Sequence, residues 1–121
     1  MFYPHTNTTG TVIPFEEQPA VAGTYKRGMM LVFDGGKLKV ADNPSGRCPY
    51  ISVANETVVE GGVLTVMPNT NNLTLRCDDV VGDPVVGDKV SVVGGVQASS
   101  AASNKHLLVV AVRDDGSIEV R

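Results

Sequence analysis

The sequence of 121 residues predicts an all-β fold: a small β-barrel-like or β-sandwich-like domain of short antiparallel strands and hairpins, entered by an extended N-terminal arm. Three observations carry this expectation. Valine, whose branched side chain suits a pleated surface, dominates the apolar positions. Glycine-centred turn signals interrupt the chain at short intervals, as they do in sandwiches and partly closed barrels. No segment keeps a 3.6-residue apolar period over about ten residues.

Residues 1–22 read as the arm and residues 23–121 as one all-β domain. Pro4, Pro14 and Pro19 keep the arm extended and bar it from a central strand. It is not a plain solvated tail, because Phe2, Tyr3 and Phe15 lie in it, and a segment meant to stay in water omits aromatics.

The run GMMLVFDGGKLKVA, Gly28 to Ala41, is a hairpin of strands Met29–Asp34 and Lys37–Ala41 hinged on Asp34, Gly35 and Gly36. Strands follow at Tyr50–Ala54, Val63–Met67, Leu73–Arg76 and Lys89–Val93. Turn signals separate them at Asn43–Gly46, Gly61–Gly62 and Gly94–Gly95. The near-repeat VVGDPVVGD, Val80 to Asp88, reads as a turn, since Pro84 bars a central strand. Gln97–Ser103, QASSAAS, suits a short helix or a loop. The closing hairpin pairs Leu107–Arg113 with Ser117–Arg121 around Gly116. Leu107–Val112 is apolar on both faces, so it should lie centrally or be covered on its second side, by this chain or by another subunit.

Composition narrows the function classes. Hydrophobic residues at 42%, charged residues at 19% and a net charge of −3 describe an ordinary globular chain of one domain. Lys and Arg are scattered, which gives no footprint for nucleic acid. No apolar run approaches the roughly 20 residues of a membrane span. MFYPHTNTTG lacks a basic and an apolar region, so export through a secretory signal is not expected. The N-x-[ST] matches at Asn7, Asn55 and Asn72 then read as chance.

Reactive side chains are few. Cys48 and Cys77 are not in C-x-x-C spacing, and without export both are expected to stay reduced. Cys77 with His106 can be drawn as a nucleophile and base, but Asp78 and Asp79 beside the thiol would raise its pKa. Asp78, Asp79, Asp83 and Asp88 lack EF-hand spacing, and His5 and His106 with two distant cysteines do not make a zinc site. No enzyme, cofactor or metal is therefore expected.

The stretch TYKRGMMLVFDGGKLKVADNPSGRCPYISVANETVVEGGVLTVMPN resembles the head decoration (capsid-stabilising) proteins of tailed bacteriophages and prophages. The matching features are a strand entered from a K-x-G turn (Lys26 to Gly28), the hairpin return Gly35 to Lys37, and the strand Pro49 to Ile51. The later run Gly87 to Val92 and the closing D-G-x-I-x-V-R hairpin fit the same layout. The resemblance implies a homotrimer on the head exterior at three-fold sites, bound to the major capsid protein and made in the cytoplasm of a bacterial host. It also implies an N-terminal arm that orders on the shell by pairing with capsid strands. Nucleic acid and membrane are not partners in this reading. The alternatives are a tail or baseplate β-module, a small carbohydrate- or protein-binding module, or a cysteine-dependent enzyme.

The capsid-contact candidates are Phe2, Tyr3, Val12, Ile13 and Phe15. Ordering the arm costs on the order of 1–2 kcal/mol per residue in backbone entropy. Burying an apolar side chain returns roughly 1.5–3 kcal/mol. The arm is thus expected to be mobile until a strand edge adds main-chain hydrogen bonds. On this expectation, removal of residues 2–20 spares folding.

Overall fold

Met30 and Leu31 are adjacent in an apolar run, and adjacent side chains of a strand point to opposite faces. Neither has any exposed surface, so their strand is covered on both sides. That two-sided burial organises the molecule. A computed structural model describes every residue except Thr8 and Thr11 and contains only strands, turns and loops among them.

The strands are β1 (Phe2–Asn7), β2 (Glu16–Pro19), β3 (Gly23–Tyr25), β4 (Met30–Asp34), β5 (Lys37–Val40), β6 (Tyr50–Ser52) and β7 (Glu56–Val58). They continue with β8 (Val63–Pro68), β9 (Leu73–Cys77), β10 (Val80–Val81), β11 (Lys89–Val93), β12 (Gln97–Ser99), β13 (Leu107–Val112) and β14 (Ile118–Val120). A seven-stranded sheet runs β1-β9-β14-β13-β11-β12-β10, a five-stranded sheet runs β2-β8-β6-β4-β5, and β3 pairs with β7 in a separate ribbon. All pairings are antiparallel except β10 with β12.

Alternation sorts the five-stranded sheet between two cores. Met30, Ile51 and Met67 face the seven-stranded sheet and pack with Phe2, Leu75, Val92 and Ile118. Leu31, Leu64 and Val66 face the other way and pack with Ala20, Leu38, Tyr25 and Val58. The sheet curls over this second core until Ala20, just past β2, forms a single bridge to Leu38 of β5. One bridge is not a ladder, so the arrangement is sandwich-like and not a closed barrel. The β3–β7 ribbon supplies Tyr25 and Val58, and the Tyr25 hydroxyl donates to the Val21 carbonyl at 2.6 Å.

The sheets are tied by main-chain bonds as well as by packing. Met30 N–H donates to the Gly95 carbonyl at 2.8 Å. Gly95 sits at φ +76°, and a Cβ there would come 2.6 Å from Val40 Cγ1, so the β11–β12 turn meets the β4–β5 hairpin only with glycine.

All eight strands expected between residues 29 and 121 are present. Leu107–Val112 lies centrally, as β13 between β14 and β11. Its outer side keeps apolar surface, with Leu108 37% and Val112 49% exposed, beside charged groups of the neighbouring strands. Glu119 of β14, opposite Ala111, bonds Arg113 and lies 2.6 Å from His5, while Arg76 reaches Asp115 at 2.9 Å. Gln97–Ser103 departs from expectation: Gln97–Ser99 is a strand, because its small side chains fit between β11 and β10. Val80–Val81 likewise pairs before the turn that follows it.

The largest difference concerns residues 1–22. β1 lies in register with β9 at five positions, Phe2 opposite Cys77 through Asn7 opposite Leu73. β2 pairs with β8 from Glu16 opposite Val66 to Pro19 opposite Val63. The strand edges expected from a partner are provided here by the chain's own sheets, β9 for β1 and β8 for β2. Pro4 sits in an edge strand and Pro19 ends one, the positions that proline tolerates.

Candidate interaction surface

The five residues expected to contact a partner are divided by the fold. Phe2 has no exposed surface and packs between the two sheets. It has no area to offer a partner while β1 stays paired. Tyr3, one residue on, points to the opposite face and is half-buried beside Arg76 of β9. The connection from β1 to β2 carries the other three. Val12 is 93% exposed and Phe15 63% exposed, whereas Ile13 is partly buried against the main core.

Phe15 stands over a continuous groove between β1 and the β6–β8 side of the five-stranded sheet. Two cavities of about 310 and 330 Å³ meet beneath it and share Pro4, Phe15 and Met67. The floor of the first includes Phe2 and Ile51, and that of the second includes Leu73, all buried. Arg27 lies at the rim of the first cavity. No acidic residue lines either cavity among the described residues. The Arg27 side chain, exposed, makes no hydrogen bond or ion pair to a described residue, while its backbone N–H donates to Asn55 Oδ1 at 3.0 Å.

The near half of the β1 edge beside this surface offers no free donor. Phe2 N–H points away from β9 and is already spent on the Gly28 carbonyl at 2.8 Å. Pro4, two residues on and therefore facing the same way, has no N–H to offer. At the other end of that sheet, β10 is only two residues long. In the five-stranded sheet, the edge of β5 is occupied where Val21 N–H donates to the Leu38 carbonyl at 2.9 Å. Short, occupied or proline-bearing edges resist the addition of a strand.

The groups with chemical potential lie elsewhere and are engaged in structure. Cys48 and Cys77 are free, buried thiols in the main core. Burial pushes the Cys48 thiol up to about 12, against a smaller opposing pull from Arg47. Cys77 is also raised by burial, and its thiol lies 3.3 Å from the Asp79 carbonyl. Thiols held protonated are poor nucleophiles. Burial lowers the pKa of His106, the Asn104 carbonyl acts in the opposite sense and the Arg47 charge lowers it further. Neither of its ring nitrogens has a hydrogen-bond partner among the described residues. Asp79 accepts from Gln97 at 3.1 Å and Asp88 from Val85 N–H at 3.0 Å, so these carboxylates hold turns and strand ends. Among the described residues no three His, Cys, Asp or Glu side chains gather as a metal site.

A second cleft, of about 580 Å³, lies between the β4–β5 hairpin and the loop to β6. Phe33 lines it, 48% exposed, and meets the Tyr50 ring edge-on with centroids 5.8 Å apart. Its charged groups are satisfied locally: Lys39 bonds Asp34 at 3.1 Å, Asp42 accepts from Gly94 N–H at 3.0 Å, and Arg47 bonds the Thr70 carbonyl at 2.7 Å.

No family model matches the chain, and no curated protein matches it.

Sequence reading named Phe2, Tyr3, Val12, Ile13 and Phe15, which all line one or both cavities, but missed the other residues of the groove. Pro4, Arg27, Met67 and Leu73 come from four separate segments, and no local pattern joins them. The nearest available signal was Pro4 and Pro19 on either side of Phe15, positions compatible with edge strands flanking an exposed connection.

Proposed function

We propose that this chain is a structural virion protein of a tailed phage or prophage, binding the outside of the head at three-fold sites and stabilising the expanded shell. Its partner is the major capsid protein, it works as a homotrimer, and it needs no cofactor, nucleic acid, membrane or catalysis. It is made in the bacterial cytoplasm and ends on the head exterior. The reading rests on the resemblance of Thr24–Asn69 and of the closing hairpin to head decoration proteins. The observation that carries it is the exposure of Val12 and Phe15 on a connection held at both ends by paired strands. Large apolar side chains kept in water on a fixed scaffold suit adhesion to another protein surface.

In this proposal the N-terminal segment meets the capsid protein through Val12, Ile13 and Phe15, with Tyr3 beside them, and orders further on contact. Phe2 contributes only if β1 is released. The test is co-sedimentation of the purified protein with expanded, undecorated heads of the phage that encodes it. Saturable binding that raises the temperature of head disruption is the expected result. Failure to bind at saturating protein would sink the reading.

One feature favours a second reading, a tail or baseplate module or a small carbohydrate- or protein-binding module. The cleft beside Phe33 presents an aromatic face next to polar groups, a common setting for sugar rings. Glycan-array binding that is lost in Phe33→Ala, together with no affinity for heads, would move the assignment there.

A further inference from the structure

We propose that the groove beneath Phe15 is a side-chain docking site for an extended segment of a partner protein that carries two apolar side chains and one carboxylate. As the capsid contact it rests on the reading above. As a peptide site it stands on the geometry alone.

Three observations define the occupant. The two cavities meet at Pro4, Phe15 and Met67, and each holds about 310–330 Å³, room for a large apolar side chain. Their buried floor is a single apolar surface made by both sheets. The occupant is therefore a chain segment that places one apolar side chain in each cavity.

Charge decides the third group. The chain carries a net charge of −3, yet no acidic residue lines either cavity among the described residues. At the far end His5 is occupied by Glu119 at 2.6 Å. Arg27, at the rim of the first cavity, has its guanidinium free of described partners. A carboxylate from the occupant completes that end, as arginine forks do at interface rims.

The near edge of β1 decides the mode. With Phe2 N–H spent and Pro4 lacking one, the near half of β1 offers no donors to an incoming strand. A strand added at that edge would find no donors, so recognition there falls to the side chains. This differs from an arm that pairs with a partner's strands.

A randomised library of short peptides displayed on yeast, panned against the full-length protein, tests the site without any head. Enriched peptides should carry two apolar residues near an Asp or Glu, and should shift the amide resonances of Phe15, Arg27 and Val53. Phe15→Asp should weaken them by about tenfold or more, the loss expected at the centre of a small interface. Arg27→Glu should reverse the selected charge from acidic to basic. Both positions are exposed, so unchanged melting temperatures control for folding. The proposal is overturned if nothing enriches, if enriched peptides bind Phe15→Asp equally well, or if Arg27→Glu still selects acidic peptides. Head binding by the same variants separates the two proposals. Wild-type binding that survives both substitutions removes the groove and leaves decoration standing. Absence of wild-type binding removes decoration and leaves the peptide result untouched.

Discussion

Phe2 donates its backbone N–H to the Gly28 carbonyl at 2.8 Å, and a Cβ on Gly28 would stand 2.9 Å from the Phe2 carbonyl oxygen. Gly28 N–H in turn donates to the Ser52 carbonyl at 2.9 Å, so one glycine couples the edge of the seven-stranded sheet to the five-stranded sheet. The Phe2 ring fills the space between them.

Phe2→Ala should therefore cost about 3–5 kcal/mol, the range for emptying a buried aromatic site. Gly28→Ala should cost at least about 1–2 kcal/mol, since φ is +91° there and the atom nearest the added methyl is a main-chain oxygen, with Met1 and Tyr3 side chains just beyond it. Urea titration followed by circular dichroism measures both. Wild-type stability in Gly28→Ala would remove the coupling from the account.

Truncation should behave differently from what the sequence suggested. Removing residues 2–20 takes β1 from one sheet and β2 from the other, along with Phe2 and Ala20 from the two cores. The shortened chain should lose its cooperative unfolding transition. Phe15→Asp should stay within about 0.5 kcal/mol of wild type, as exposed substitutions do. A truncated protein that melts cooperatively near the wild-type temperature would restore residues 2–20 as a separable arm.

Alkaline pH should destabilise the fold from about pH 9 upward. The Cys48 thiol is raised from 9.0 to about 12, so above pH 9 the unfolded chain ionises while the folded one stays protonated. Stability is then full below pH 9 and falls through pH 12, by a limit on the order of 4 kcal/mol for this group. Burial shifts Cys77 and Tyr25 upward as well, which adds to the slope. Cys48→Ala should be weaker at neutral pH but lose less between pH 9 and 12. Parallel curves for the two proteins would exclude Cys48 as the source.

His106 should act on the acid side. Its pKa is lowered by burial, so as pH falls below 6.5 the unfolded chain takes up a proton first and stability declines. Replacement by an apolar ring removes two nitrogens that have no described partner. His106→Phe should therefore cost little at pH 8 and gain relative to wild type as pH is lowered to 5. Thermal melts across that range would show it, and a gap that does not change with pH would rule it out.

Much of the strand content was legible from the chain, for local reasons. Strands β4, β5, β6, β8, β9, β11, β13 and β14 carry apolar or alternating runs bounded by residues that need a positive φ, such as Gly35, Gly36, Gly61 and Gly116. A period of two and a turn are properties of a few neighbouring residues, so they survive in the sequence. β3, β7, β10 and β12 are two or three residues long and, unlike the equally short β6 and β14, do not lie in a longer apolar or alternating stretch, so they leave no period to read.

The fate of the first 22 residues could not be read locally. Proline and aromatic content marked the segment as extended and adhesive, and both properties hold. Which surface it adheres to depends on whether β9 and β8 have free edges, and those edges exist only once the two sheets are built. The groove follows from the same event. Pro4, Arg27, Met67 and Leu73 become neighbours when β1 pairs with β9 across a separation that no local pattern encodes. Turn chemistry and alternation belong to the sequence because they act between adjacent residues. The seat of Phe2, the near edge of β1 and the groove belong to the tertiary structure because they arise from long-range pairing, where the competing partners are whole strands.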